Sequence, residues 1–226
     1  MKPIFLACLL CLKEVFGFSA AFTDSFDIDT ADLASTGRNR YFVLEPGYQL
    51  VLEGKEKGQA VVLTITVLSE TKMVDGVETR VVEERETANG QLVEVSRNYF
   101  AISKKTSDVF YFGEDVDIYK NGQVVDHEGA WLSGVKGARS GLMMPGTPLL
   151  GARYQQEVAP KVAMDRAEIV SLADTLQTPA GTFEKCLKTE ESSALEGGKA
   201  HKLYAPAIGL VCDGTLKLTK HGRAER

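Results

Sequence analysis

The chain has 226 residues, 44% of them hydrophobic and 25% charged, with a formal net charge of −5. This apolar content excludes a disordered chain, and the length suffices for one large core without covalent staples. Mild acidity with scattered Lys and Arg excludes a general attraction for polyanions, so no nucleic-acid partner is expected.

Residues 1–21 read as an export signal: Lys2 supplies the positive start, Pro3 to Leu12 an apolar core, and Ser19-Ala20-Ala21 small residues for cleavage. The apolar run is too short to cross a bilayer of about 30 Å as a helix, so no transmembrane segment is expected after cleavage. The mature protein is expected in the periplasm or outside the cell. Cys8 and Cys11 lie within this core, and Cys8 comes too early to leave a working hydrophobic segment ahead of a lipidation site. The segment carries Lys2, Lys13 and Glu14, so its removal leaves the remainder slightly more acidic.

Residues 22–40 form a polar, acidic lead-in with room for one helical turn around Thr30 to Ala34. Asp27, Asp29 and Asp32 lack the glycine and distal Glu of a calcium loop, so a solvated lead-in is the expectation. A single β domain is expected over residues 41–220, with a polar tail at 221–226. It opens with Tyr41–Leu44 and Tyr48–Glu53, divided by the Glu45-Pro46-Gly47 turn. Gln59–Ser69, Val77–Thr87, Gln91–Ile102, Val109–Tyr119 and Gln123–Trp131 follow as strands rich in β-branched and aromatic residues. Asp75-Gly76, Asn89-Gly90 and Asn121-Gly122 are hairpin turn pairs. The fold class is therefore all-β: a large curved antiparallel meander, half-barrel or barrel-like, because strand twist accumulates across a sheet of this size.

From Leu132 to Gly151, glycine, proline and methionine replace alternation, and a loop covering the open end of the sheet is expected. Strands resume at Arg153–Val158, Ala163–Ala173, Thr182–Glu190, Ala200–Ala205, Ile208–Cys212 and Thr215–Lys220. Beyond the signal the cysteines are Cys186 and Cys212. In an oxidising compartment such a pair is a disulfide candidate, and two buried free thiols are the alternative. Folding about Ala194 sets Cys186 opposite Leu203, so a bridge requires the strand after Pro206 to return alongside.

Several phrases resemble a family of exported bacterial β-rich proteins. Asn39-Arg40-Tyr41-Phe42-Val43-Leu44-Glu45-Pro46-Gly47 resembles that family's N-x-Y-F-P-L-x-P-G opening, with Val43 in place of a proline. Tyr111-Phe112-Gly113-Glu114-Asp115 resembles its W-Y-F-G-E-D, and the stretch from Glu128 to Pro145 its E-G-x-W-x-x-G-V-x-G-A motif ending in M-P. The closing hairpin, from Thr178-Pro179-Ala180-Gly181 to Ile208-Gly209, is also similar, more loosely, to that of periplasmic lipoprotein carriers. The resemblance implies export and a curved sheet, and no particular activity.

Two groups of residues carry chemistry. Folding about Asn121-Gly122 would oppose Asp115 to Glu128 and Asp117 to Asp126, with His127 beside them; like charges held opposite call for a cation or a shared proton. Asp115, Asp117, His127 and Glu128 are therefore the candidate metal ligands, with charged edge residues as the plainer reading. Trp131, Tyr111, Met143 and Met144 form the second group, adaptable apolar surface next to close-approach glycines and suited to a ligand. Met143 and Met144 are adjacent and should point to opposite sides of an extended chain, which argues against a shared copper site. No nucleophile motif, phosphate loop or cofactor signature is present, so no cofactor is expected. The leading expectation is a non-catalytic exported protein that binds an apolar or amphipathic small molecule under the Leu132–Gly151 segment. A structural module joined to an envelope protein is the first alternative, and a metal-binding protein or hydrolase using Asp115, Asp117 and Glu128 the second.

Overall fold

The computed structural model describes residues 21–224, so the expected export signal at 1–21 lies outside the described residues except for its last position. The lead-in forms a 3-10 turn at Thr30–Asp32, where the Asp29 carboxylate accepts from the Ala31 amide. Asp32 is buried rather than solvated, taking the Ser103 hydroxyl and the Lys105 amide. Strands β1 (Leu33–Ala34), β2 (Gly37–Asn39) and β3 (Phe42–Leu44) are short.

A meander of long strands follows: β4 (Tyr48–Glu56), β5 (Gln59–Val74), β6 (Val77–Ala88), β7 (Gln91–Ser103) and β8 (Val109–Lys120). Its tight turns have the chemistry the sequence announces. Asp75, Asn89 and Asn121 sit at φ 50°, 49° and 53°, each followed by a glycine at 76–78°, the paired positive φ of a type I′ hairpin. Short strands β9 (Gln123–Asp126), β10 (Trp131–Leu132), β11 (Arg139–Met144), β12 (Arg153–Gln155) and β13 (Glu157–Val158) lead to a second meander. This comprises β14 (Asp165–Thr178), β15 (Gly181–Ser193), β16 (Ala200–Ala205), β17 (Gly209–Asp213) and β18 (Leu216–Arg223).

The two meanders are one sheet because β18 returns antiparallel beside β4, from Lys217 opposite Glu53 to Arg223 opposite Tyr48. One end of the sheet is β12 on β14; the other is β11 and β13 beyond β8. These ends meet at a single seam, leaving the sheet nearly closed into a barrel. Gly141 makes the approach at the seam possible: a Cβ there would stand 2.2 Å from the Gln156 carbonyl oxygen. Closure removes most of the unpaired strand edge that a long open sheet would expose.

Three sequence expectations change. The Leu132–Gly151 segment is not wholly a covering loop, because β10 and β11 both pair with β8 and extend the sheet. The β8–β9 hairpin slips by one residue at a bulge between Ile118 and Tyr119, and β9 ends at Asp126. Ile118 therefore faces Asp126, while Asp115 and Asp117 face Arg97 and Val95 on β7. The expected opposition of Asp115 to Glu128 and Asp117 to Asp126 is not formed. Finally, Cys186 and Cys212 are free and buried. Strand β16 lies between their strands, with Leu203 opposite Cys212. Two inter-strand steps of about 4.8 Å exceed the Cα separation of about 7 Å that a disulfide tolerates.

Candidate functional site

Residues paired across an antiparallel ladder share a face, so the register shows what lines the interior. One row crosses the sheet as Val67, Val82, Asn98, Glu114 and Trp131, on β5, β6, β7, β8 and β10. The next row holds Ile65, Glu84, Ser96 and Val116, and the one after it Leu63, Glu86, Glu94 and Ile118. On the opposite wall Ile169, Thr189, Lys202, Asp213 and Leu216 stand side by side. The inward face is thus apolar at many positions and acidic at several.

Two cavities adjoin this wall. A small one of about 70 Å³ lies among Phe42, Ile65, Phe100, Met143, Leu210 and Ile208, with Glu84, Lys202 and Asp213 at its polar side. A second, of about 250 Å³, lies at the surface between the Ala130–Ala138 turn and residues 159–162, with Trp131, Glu114 and Asp115 in its wall. An aromatic ladder stands between them: Phe42 on Phe100 at 5.1 Å, Phe100 on Tyr111 at 4.6 Å, and Tyr111 on Trp131 at 5.4 Å between centroids. Edge-to-face and stacked pairs of this kind hold the rings in fixed orientation. Trp131 is only 6% exposed, and its indole N–H has no acceptor among the described residues. Gly113 positions it, since a Cβ at that residue would sit 2.3 Å from the Trp131 carbonyl oxygen and its φ is +135°.

The interior carboxylates are held in an unfavourable state for ionisation. Burial, with the charges of Asp213, Glu94 and Glu86 adding to it against Lys202, raises Glu84 to about 7. Burial and the charge of Glu84 raise Glu114 to about 8, against a smaller lowering by the nearby Tyr111 hydroxyl. Glu157 is pushed well above the usual carboxylate range by burial and by Glu114. Neither Glu84 nor Glu157 has a hydrogen-bond or ion-pair partner among the described residues. Lys202 is held between Glu191 at 3.3 Å and Asp213 at 3.5 Å, and keeps 27% of its side chain exposed. Glu191 also accepts from Thr189 Oγ1 at 3.0 Å, Gln156 Nε2 at 3.3 Å and the Tyr204 hydroxyl at 3.4 Å.

The sequence-derived ligand group is divided by the fold. Met143 lines the narrow cavity, while Met144 points the other way and is fully buried. Tyr111 is buried, donating its hydroxyl to Asn98 Oδ1, and forms part of the wall between the cavities. Trp131 lines the larger cavity. Of the candidate metal ligands, Asp115 borders the larger cavity, while Asp117, His127 and Glu128 do not line it. Asp115 takes Lys72 Nζ at 2.9 Å and the Tyr99 hydroxyl, and Asp117 takes Arg97 at 3.2 Å; His127 Nδ1 lies 3.1 Å from Asp117 and 2.7 Å from the Val116 carbonyl oxygen. Glu128 is exposed on a turn. Among the described residues no group of three or more His, Cys, Asp or Glu is arranged to hold a metal ion.

Sequence reading missed Glu84, Glu86, Glu94, Glu157, Glu191, Lys202 and Asp213. The turn alone gives no signal: Asn89-Gly90 counts Glu86 opposite Val93, and a register shift between Glu86 and Thr87 sets it opposite Glu94 instead.

No family model matches the chain, and no curated protein is similar to it in sequence. A crystal structure described as "a putative lipoprotein" from Parabacteroides distasonis is similar over 83% of this chain and 100% of that one, at 14% identity and a TM-score of 0.40. No helix among the described residues is long and apolar enough to cross a membrane.

Proposed function

We propose that the protein is an exported, non-catalytic carrier or sensor that takes an apolar or amphipathic small molecule into its barrel. The observation that carries this reading is the 250 Å³ cavity beside Trp131, whose buried indole N–H lacks an acceptor. Leaving such a donor unpaired costs about 1–3 kcal/mol, which a ligand oxygen at this position would recover. Small-molecule sites are mostly apolar hollows with a few convergent polar groups.

Trp131 is the one tryptophan in the chain, so its emission reports on this cavity alone. Titration with the neutral apolar probe N-phenyl-1-naphthylamine should enhance probe emission and quench Trp131 in a saturable way. Val162→Phe, at the exposed rim of the cavity, should weaken both signals without loss of fold. Absence of saturable binding, or binding that leaves Trp131 emission unchanged, contradicts the reading.

A further inference from the structure

We propose that the hollow beside Trp131 receives a small apolar monocarboxylate, its head taken by the Trp131 indole N–H and the Lys136 ammonium and its hydrocarbon body by Leu132, Val135, Pro160 and Val162. This deepens the ligand-binding reading above and rests on it. All six residues line the same hollow of about 250 Å³. The first ground is the buried donor. Trp131 stands opposite Glu114 on the β8–β10 ladder, is 6% exposed, and its N–H has no acceptor among the described residues. An indole N–H donates and never accepts, so the partner it lacks is an acceptor such as an oxygen.

A second, independent observation is a cation without an anion. The Ala138 amide donates to the Val135 carbonyl at 2.9 Å, with Lys136 at φ 52° and Gly137 at φ 81° between them, the paired positive φ of a type I′ turn. Lys136 therefore stands at the tip of a tight turn in the wall of the hollow, and it has no ion-pair or hydrogen-bond partner among the described residues. The acids of the same wall do not oppose an incoming carboxylate. Asp115 is engaged by Lys72 at 2.9 Å and by the Tyr99 hydroxyl. Burial and the charge of Glu84 keep Glu114 mostly protonated below about 8, and a protonated carboxyl offers an O–H donor rather than a charge.

Shape and charge select among anions. Lys136 is the one Lys or Arg among the lining residues, so a dicarboxylate or phosphate ester would bring a second negative charge near Asp115 without a second cation to meet it. Val135 and Val162, from the two sides of the hollow, are 49% and 45% exposed, and a hydrocarbon body laid between them removes that apolar surface from water. Sites for drug-sized molecules run to about 300–1,000 Å³. A hollow of about 250 Å³ suits a smaller ligand, a short chain or a single ring rather than a full-length lipid.

The test is fluorescence and calorimetric titration of the purified protein with sodium octanoate at about pH 6.5, where Glu114 holds its proton. Octanol and octylammonium carry the same chain with a neutral and a positive head. Octanoate should bind saturably, change Trp131 emission, and bind about tenfold or more tightly than either control. Lys136→Met keeps the length of the side chain at an exposed turn position and should weaken octanoate roughly fivefold while leaving octanol unchanged. Its own melting transition shows that it is folded. Octanoate binding no tighter than octanol overturns the proposal, as does a preference for octylammonium, binding that leaves Trp131 emission unchanged, or equal octanoate affinity in wild type and Lys136→Met. If N-phenyl-1-naphthylamine and octanol bind and octanoate holds no advantage, the carboxylate inference falls and the ligand-binding reading stands; if no probe binds, both fall.

Discussion

Glu114 and Asp115 are neighbours on one strand, yet they belong to two different regions of the molecule. Asp115 faces outward, where burial of its carboxyl is outweighed by the Tyr99 hydroxyl, Lys72 and Arg97, and its pKa is lowered. Glu114 faces inward, where burial and the charge of Glu84 raise it to about 8. The outer acids are neutralised by chain residues; the inner ones largely are not. The difference shows that strand alternation, not acidity in the sequence, determines which carboxylates meet a cation of the chain and which are buried without one.

The comparison breaks first under pH. Glu84 and Glu114 are raised from 4.5 in the unfolded chain to about 7 and about 8 in the folded one. Between those values the native state holds more protons than the unfolded state, so stability falls as pH rises through this window. The loss is complete above about pH 8 and absent below about pH 4.5, and is on the order of 2–4 kcal/mol after allowance for water in the interior. Chemical denaturation from pH 5 to 9 should show this slope, and Glu84→Gln/Glu114→Gln should remove most of it. A wild-type stability that climbs with pH across this range contradicts the assignment.

Next in size is Gly113→Ala. The new methyl would meet the Trp131 carbonyl at 2.3 Å on a backbone of φ +135°, a combination that costs on the order of 2–4 kcal/mol. Emission from Trp131 should shift as the ring moves, with a lower urea midpoint. An unshifted spectrum at wild-type stability would show that Gly113 does not position the tryptophan.

The outer region should respond less. Asp115 keeps 53% of its side chain exposed, so Asp115→Asn should cost about 1 kcal/mol or less at neutral pH. Its folded pKa is depressed, so its contribution is present above about 3.8 and fades as pH falls below that. The inner and outer variants thus give pH effects of opposite sign. Urea unfolding of Asp115→Asn at pH 3 and pH 7 checks this: the cost should be confined to pH 7, and an equal cost at both contradicts it.

Least of all, reductant should leave the melting temperature unchanged, because Cys186 and Cys212 are held apart by β16. A reductant-sensitive transition would mean a different register in the closing hairpins.

How far the sequence reveals this arrangement follows from the range of the forces involved. The all-β class and the long strands are legible because Asp75-Gly76, Asn89-Gly90 and Asn121-Gly122 are local signals. The bulge after Ile118 is not, since a one-residue slip leaves no compositional trace yet reverses which side chains meet. That slip separated Asp115 from Glu128 and removed the predicted opposition. Closure of β18 on β4 joins residues more than a hundred and fifty positions apart, beyond the reach of any turn rule. Trp131 was identifiable from its glycine-rich surroundings, whereas the environment of Glu157 exists only once β13 lies beside β11 and near β8.

The most direct test of an interior lined by acids without a cation of their own is a carboxyl-resolved NMR pH titration of carbon-13 glutamate-labelled protein. Glu84 and Glu114 should titrate near 7 and near 8, because burial disfavours their ionised form. Midpoints close to the ordinary glutamate value of about 4.3 would contradict the account.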